Sequence, residues 1–362
     1  MPVKPLPPNP SLDHLKHQAK DLLKAHTAHD IGAAQRLREF DPNFKSATDA
    51  EIFAAHLPLA AAQRAIARER GFPSWPRLKA HIETPTRANQ LNLPHHERIE
   101  DPTFRRAVAL LDAGDATGLR AHLTQHPNLS RQRVLFAGGN YFRNPTLLDF
   151  IAENPIRHGT LPPNIVEIAE IVIAAGVDQS SLDETLGLVC SGRIPRECGK
   201  QIPLIDLLCN HGADPNYAVQ SAAGEAEFEA LQALVRRGAQ ITLPVAAALG
   251  RTADAQHLLS GANPEDRHRA LALAAQFGRV EIVRLLLDAG EDHSRYNPAG
   301  CHAHSTPLHQ AALGGHEAVV HLLVERGARL DLKDLLWQGT PAGWANHAGN
   351  TEIEAWLRTR EK

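Results

Sequence analysis

Residues 305–330 constrain the fold of this chain more than any other stretch; they read Ser-Thr-Pro-Leu-His-Gln-Ala-Ala-Leu-Gly-Gly-His-Glu-Ala-Val-Val-His-Leu-Leu-Val-Glu-Arg-Gly-Ala-Arg-Leu. Thr306 is placed to cap a helix whose first turn takes Pro307, and Leu308, Ala311 and Ala312 fall on one face of it. The pair Gly314 and Gly315 stops that helix early, because glycine adopts positive φ without strain. A second helix follows at once, with Val319, Val320, Leu322, Leu323 and Val324 as its apolar stripe and Gly327 at its C-terminal cap. Two helices this short cannot bury both faces of the pair, so the unit demands copies of itself to stack against.

Helical pairs of this kind recur from residue 104 onward. They fall at 104–113 with 116–125, at 146–152 with 165–175, and at 184–191 with 202–209. Three compact pairs follow at 219–238, 244–261 and 267–290, then the unit at 306–327 and a last one at 340–357. The glycines expected to close the second helices, Gly176, Gly212, Gly238, Gly261, Gly290 and Gly327, are closest together between Gly238 and Gly261 and farther apart on either side. That spacing implies fingers lost between the fourth and sixth pairs, and added turns or fingers at 154–164, 192–200 and 291–304 in pairs two, three and seven. Insertions in repeat arrays collect on one face, often the binding face. The polar Glu352, Glu354, Arg358 and Arg360 suit a terminal cap facing solvent.

Upstream, five prolines within 1–10 predict an extended arm. Leu12, Leu15, Ala19, Leu22 and Leu23 then recur at helical spacing behind Ser11, predicting an amphipathic helix over 11–26. Further helices are expected at 31–40, 47–55, 59–70 and 75–82. The domain reading is a helical leader module at 1–83, a linker at 84–100 and the repeat array at 101–362.

The tetrapeptide Thr306, Pro307, Leu308, His309 carries a family resemblance: the unit around it resembles an ankyrin repeat, most clearly in repeats six to eight and least in four and five. The leader strings Leu-Pro-Pro-Asn-Pro-Ser-Leu at 6–12 and Gly-Phe-Pro-Ser-Trp-Pro-Arg-Leu-Lys at 71–79 resemble those of a group of bacterial ankyrin-repeat proteins. The resemblance implies an all-α solenoid of about eight degenerate helix-turn-helix repeats, with the leader as an N-terminal helical cap. It also implies that His309 fixes its own turn by hydrogen bonds to neighbouring repeats.

Composition narrows the function. Aromatic residues make up only 5% while alanine and leucine abound, which suits thin layers of short helices rather than a sheet-rich core. The formal charge of −3 offers no general field for a phosphate backbone, so nucleic acid is not an expected partner. No apolar run reaches the about 18 to 20 residues needed to span a bilayer and no signal-peptide core is present, so no membrane partner and a cytoplasmic location are expected. Cys190, Cys198, Cys209 and Cys301 form no CxxC pair and are expected as free thiols.

Residues 291–304 gather Asp292, His293, Cys301, His302 and His304 just ahead of His309. Metal ligation is one reading, since His302 and His304 alternate on an extended finger and both imidazoles then point the same way. Hydrogen-bonded finger or core histidines are the preferred one, so neither a metal nor a cofactor is expected. Tyr296 and Arg295 in this finger, with Trp337 and Trp344 around the start of the last repeat, are residue types that anchor interfaces. The binding residues expected are therefore Arg295, Tyr296, His302, His304, Trp337 and Trp344, and no catalytic residue is assigned. The functional expectation is a non-enzymatic module that binds a protein partner through its concave groove and fingers. The alternative is a small-molecule or metal-dependent site, possible for an enzyme, built from the insertions in repeats two, three and seven.

Overall fold

The computed structural model of the chain describes residue 6 and residues 11–83, 93–136 and 141–361. The expected N-terminal arm apart from Leu6, the first part of the expected linker at 84–92, and the Gly138–Asn140 turn lie outside those residues. The chain divides into two compact units, Met1–Pro94 and His95–Lys362.

The first unit is helical, with helices Leu12–Thr27, Ile31–Phe40, Asp49–Ala54, Leu59–Glu69 and Trp75–Glu83. Each start has a local cause. Ser11 Oγ accepts His14 N at 3.3 Å, Asp30 Oδ1 accepts Gly32 N at 2.7 Å, and Thr48 with Glu51 forms a reciprocal capping box. The apolar stripes meet in one core that includes Leu15, Leu22, Leu37, Ile52, Ile66 and Leu78. The buried Asp41 carboxylate is neutralised by Arg64 at 2.8 Å.

The second unit is an all-α solenoid. Its pairs are Pro102–Asp112 with Ala116–Gln125, Leu148–Ala152 with Ile165–Ala174, and Gln179–Cys190 with Gln201–Asn210. Then come Pro215–Gly224 with Phe228–Arg236, Leu243–Leu249 with Thr252–Leu259, and Pro264–Gln276 with Val280–Asp288. Pro307–Leu313 with Glu317–Glu325 and Pro341–Ala348 with Thr351–Arg358 complete eight pairs among the described residues. Among those residues the extended pairing is limited to one bridge, Arg133 with Thr146, at the base of the finger that precedes repeat two.

A recurring long-range bond sets the stacking register. The residue that begins each later second helix reaches back to the carbonyls ending the first helix of the preceding repeat. His316 Nε2 donates to Gln276 O at 2.8 Å, Asn350 Nδ2 to Ala312 O at 2.9 Å, and Arg279 Nε to Ala248 O at 3.1 Å. Each bond satisfies a carbonyl that a helix end leaves without an intrahelical partner.

Two elements differ from the reading of the sequence. The first member of repeat two is a 3-10 helix, Leu148–Ala152, ended by Glu153 at φ 47°. The insertion that follows wraps the buried Glu153 carboxylate: Gly159 N donates to it at 3.0 Å, Arg157 N at 2.7 Å, and His158 N also binds it. Arg157 adds a two-pronged pair to Asp112 at 2.8 Å on each arm. In repeat three the first helix begins at Gln179, five residues before the apolar pattern, and the following turn holds a short helix, Arg193–Glu197. A bond from Gln179 Nε2 to Asp183 Oδ1 at 3.0 Å supports that added turn.

Candidate functional site

The last two fingers hold the residues with the most interface character, and they are built in opposite ways. The first, residues 291–304, is a strap. It leaves repeat six, crosses the first helices of repeats six and four, and returns to start repeat seven. Tyr296 O accepts His268 Nε2 at 2.8 Å, Ala299 O accepts Arg269 Nη1 at 2.7 Å, and His302 Nε2 donates to Gly224 O at 2.9 Å. The crossing is tight: a Cβ on Gly224 would stand 2.6 Å from Gly300 O. Cys301 is buried with the core of repeats one to six, and burial pushes its thiol up.

The missing fingers explain the path. Repeat five opens with a short helix, Leu243–Leu249, and only 260–263 separates Thr252–Leu259 from the next helix. The strap and Gln276, whose Nε2 donates to Ala223 O at 3.2 Å and Gly224 O at 3.1 Å, reach past it to repeat four.

The second finger, residues 334–339, folds around one carboxylate. Asp334 Oδ1 accepts Leu336 N at 2.9 Å and Trp337 N at 2.7 Å. Its Oδ2 accepts Gly339 N at 2.7 Å and the indole Nε1 of Trp344 at 3.0 Å. Burial by itself raises the Asp334 pKa, but the donors from Trp337, Trp344, Gly339 and Leu336 outweigh it and hold the group at about 2. Asp334 is the organising residue that the apolar and aromatic pattern did not single out. Its one sequence signal is a short polar acceptor opening the loop Asp-Leu-Leu-Trp-Gln-Gly.

This carboxylate lifts Leu335, Leu336 and Trp337 into solvent together, and Trp337 is 70% exposed against 8% for Trp344. His304 lies edge-on to Trp337 with ring centroids 5.1 Å apart, and 5.8 Å from Trp344. His302 is 6.0 Å from His304. Thus His302, His304, Trp337 and Trp344 form one aromatic run. Tyr296 joins it through a hydroxyl that donates to Lys333 O at 2.7 Å. Arg295 stands apart, 3.5 Å from Glu265 on a half-exposed pair that adds little.

Hydrogen bonds occupy His302, His309 and His293, while His304 Nε2 is buried without a hydrogen-bond partner among the described residues. His309 Nδ1 serves the Thr306 cap at 2.7 Å from Oγ1, and its Nε2 bonds Gly339 O at 3.1 Å. Burial lowers its pKa, which favours the neutral ring. His293 Nδ1 bonds Ser294 Oγ at 2.8 Å. Among the described residues no group of three or more His, Cys, Asp or Glu side chains is placed to hold a metal ion, and no helix is long and apolar enough to cross a membrane.

At the other end of the array, repeats two to four enclose a cleft of about 740 Å³. Its walls are the finger before repeat two, with Tyr141 and Arg143, the helix Gln179–Cys190 and the helix Pro215–Gly224 with Tyr217.

Residues 243–334 match a family model described as ankyrin repeats, three copies. Cyclin-dependent kinase 4 inhibitor B of Homo sapiens is 32% identical over 34% of this chain and 88% of its own length. Cyclin-dependent kinase inhibitor 2A of Monodelphis domestica is 34% identical over 32% of this chain and 68% of its length. Ankyrin repeat and KH domain-containing protein mask-1 of Caenorhabditis elegans is 27% identical over 53% of this chain, which spans only 8% of that protein. These relatives are animal proteins, and nothing in the matches supports the bacterial grouping read from the leader strings. Stacked pairs tied through the Thr306 and His309 cap, together with these matches, establish that the chain belongs to the ankyrin-repeat family.

Proposed function

We propose that this protein is a non-enzymatic binding module and that its partner is a protein engaged by the last finger and the adjoining concave groove. The observation that carries the reading is Trp337: a large ring exposed beside Leu335 and Leu336, on a loop whose backbone is already fixed by Asp334. A rigid aromatic anchor loses little freedom on binding, which is what makes tryptophan a frequent hot spot. The relatives named as kinase inhibitors are proteins whose stated target is itself a protein, which supports the same class of activity.

Within this surface Trp337 is the anchor, Tyr296 forms the neighbouring edge and His304 backs the indole, while Arg295, paired with Glu265, lies outside it. His302 and Trp344 act by holding the loops in place. The test is affinity capture with the wild-type protein and Trp337→Ala, with melting temperature measured in parallel. Loss of the captured partner at an unchanged melting temperature is the expected outcome; capture that survives the substitution contradicts the reading. A second reading, a small-molecule site among the insertions, is favoured by the cleft of repeats two to four, whose volume falls within the roughly 300–1,000 Å³ of ligand sites.

A further inference from the structure

The cleft of about 740 Å³ shares no residue with the Trp337 surface, and its two aromatic walls are open to solvent: Tyr141 is 67% exposed and Tyr217 55%. Tyr141 is nonetheless fixed. Its hydroxyl donates to Asn154 Oδ1 at 2.5 Å, and Asn154 Nδ2 in turn donates to Leu188 O at 3.0 Å and Ser191 Oγ at 3.1 Å. The finger carrying Tyr141 is thereby pinned across to the helix of repeat three. The opening is held by bonds within the array.

The charges lining the cleft separate into used and unused. Asp149 accepts Thr185 Oγ1 at 2.7 Å, Thr146 N at 2.7 Å and Thr146 Oγ1 at 3.0 Å, so its lone pairs are engaged. Glu184 is matched by Arg133 at 2.8 Å. The side chains of Glu225 and Arg143 remain, neither with an ion pair or hydrogen bond among the described residues. The lining decides between them, because the carboxylates Asp149, Glu184 and Glu225 outnumber the guanidinium groups Arg133 and Arg143. The Tyr141 hydroxyl is pushed up by burial and then by Glu225. That of Tyr217 is pushed up by burial and then by Glu184, Asp183 and Asp149, with Arg133 opposing. Both hydroxyls therefore stand near carboxylates, that of Tyr141 near Glu225 and that of Tyr217 near Glu184.

We propose that this cleft binds an organic cation, a guanidinium or ammonium group on a short aliphatic stem, with the charge at Glu225 and the stem against the rings of Tyr141 and Tyr217. A ring face attracts a cation through its quadrupole, and a carboxylate beside it adds a charge-assisted hydrogen bond. The same chemistry is found on a free amine and on an arginine or lysine side chain of a partner. This proposal deepens the second reading given above and is independent of the first, so either one fails without the other.

The test is an NMR titration of the full chain with agmatine, with the blocked peptide acetyl-Gly-Arg-Gly-amide and with acetate. The expected result is saturable shifts around the cleft with agmatine or the peptide and none with acetate. Glu225→Gln should weaken the affinity about tenfold and Arg143→Ala should tighten it about threefold, as expected for one charge at close range in a wet site. Tighter binding of the peptide assigns the source to a partner's side chain, and equal or tighter binding of agmatine assigns it to a free cation. Shifts with acetate that vanish in Arg143→Ala overturn the proposal in favour of an anion. An affinity unchanged in Glu225→Gln, or no saturable shift with either cation, also overturns it. Both substituted side chains are exposed, so the fold survives either change.

Discussion

The strap at 291–304 and the finger at 334–339 are neighbours in the chain, and both carry aromatic or imidazole side chains, yet they turn those side chains to opposite uses. The strap faces inward: Cys301 lies in the core, Tyr296 O and Ala299 O accept from the first helix of repeat six, and His302 binds the Gly224 carbonyl of repeat four. The finger faces outward, with Asp334 holding the backbone so that Leu335, Leu336 and Trp337 stand free. What separates them is the repeat beneath. Where repeats four to six have short connections, the inserted segment covers the helices left bare; where repeat eight stacks at regular spacing, its finger has nothing to cover.

The contrast can be broken at four points. Asp334→Ala should have the largest effect, because it removes the acceptor of three backbone N–H groups and of the buried Trp344 indole at once. With buried donors left unsatisfied, the loss should be about 3 kcal/mol in urea unfolding. The pH dependence has a definite sign. Asp334 titrates at about 2 in the folded chain against an ordinary value of 3.8, so its contribution is complete above that ordinary value and disappears as pH falls toward 2. Asp334→Asn should flatten the stability profile in that window; an unchanged profile would count against the carboxylate as the organiser of the finger.

Gly224→Ala comes next. Its Cβ would meet the strap's backbone at Gly300 O, 2.6 Å away, where no flexible side chain can yield. Overpacking of this kind costs about 1–3 kcal/mol, and the strap amides should exchange faster with the solvent while those of 334–339 stay protected. Equal protection of both segments in the variant would mean the strap does not rest on repeat four.

His302→Ala is expected to lose about 1 kcal/mol, the net value of one hydrogen bond, with no change in the metal content of the purified protein. One stoichiometric metal ion that disappears with the substitution would reverse that assignment. The smallest effect on stability belongs to Trp337→Ala, within about 0.5 kcal/mol, since most of that ring is in solvent.

The helix pairs were legible in the sequence because each is written locally. Apolar residues three and four apart mark the buried stripe, a Thr or Asn with Pro opens the helix, and Gly327 at φ 96° closes one in a conformation that favours glycine. The leader helix expected at 11–26 is found as Leu12–Thr27, and Leu22 is 3% exposed as its stripe requires. Less legible were features fixed by distant partners. Nothing near His302 announces that its ring ends on Gly224, and nothing near Asn154 announces that it joins Tyr141 to the helix of repeat three. Asp334 escaped for a different reason: a residue that binds backbone N–H groups leaves no period in the sequence, only a short polar side chain at a turn. Glu225 and Arg143 were also unmarked, because an unused charge is recognised only after its neighbours have been paired.

Hydroxyl-radical footprinting of Trp337 and Trp344 in the same sample, free and with the captured partner, tests most directly whether the finger displays what the strap conceals. In the free protein Trp337 should be oxidised readily and Trp344 slowly, in keeping with their 70% and 8% exposure, and the partner should protect Trp337 alone. Equal oxidation of the two rings in the free chain, or a Trp337 rate that the partner leaves unchanged, would contradict it.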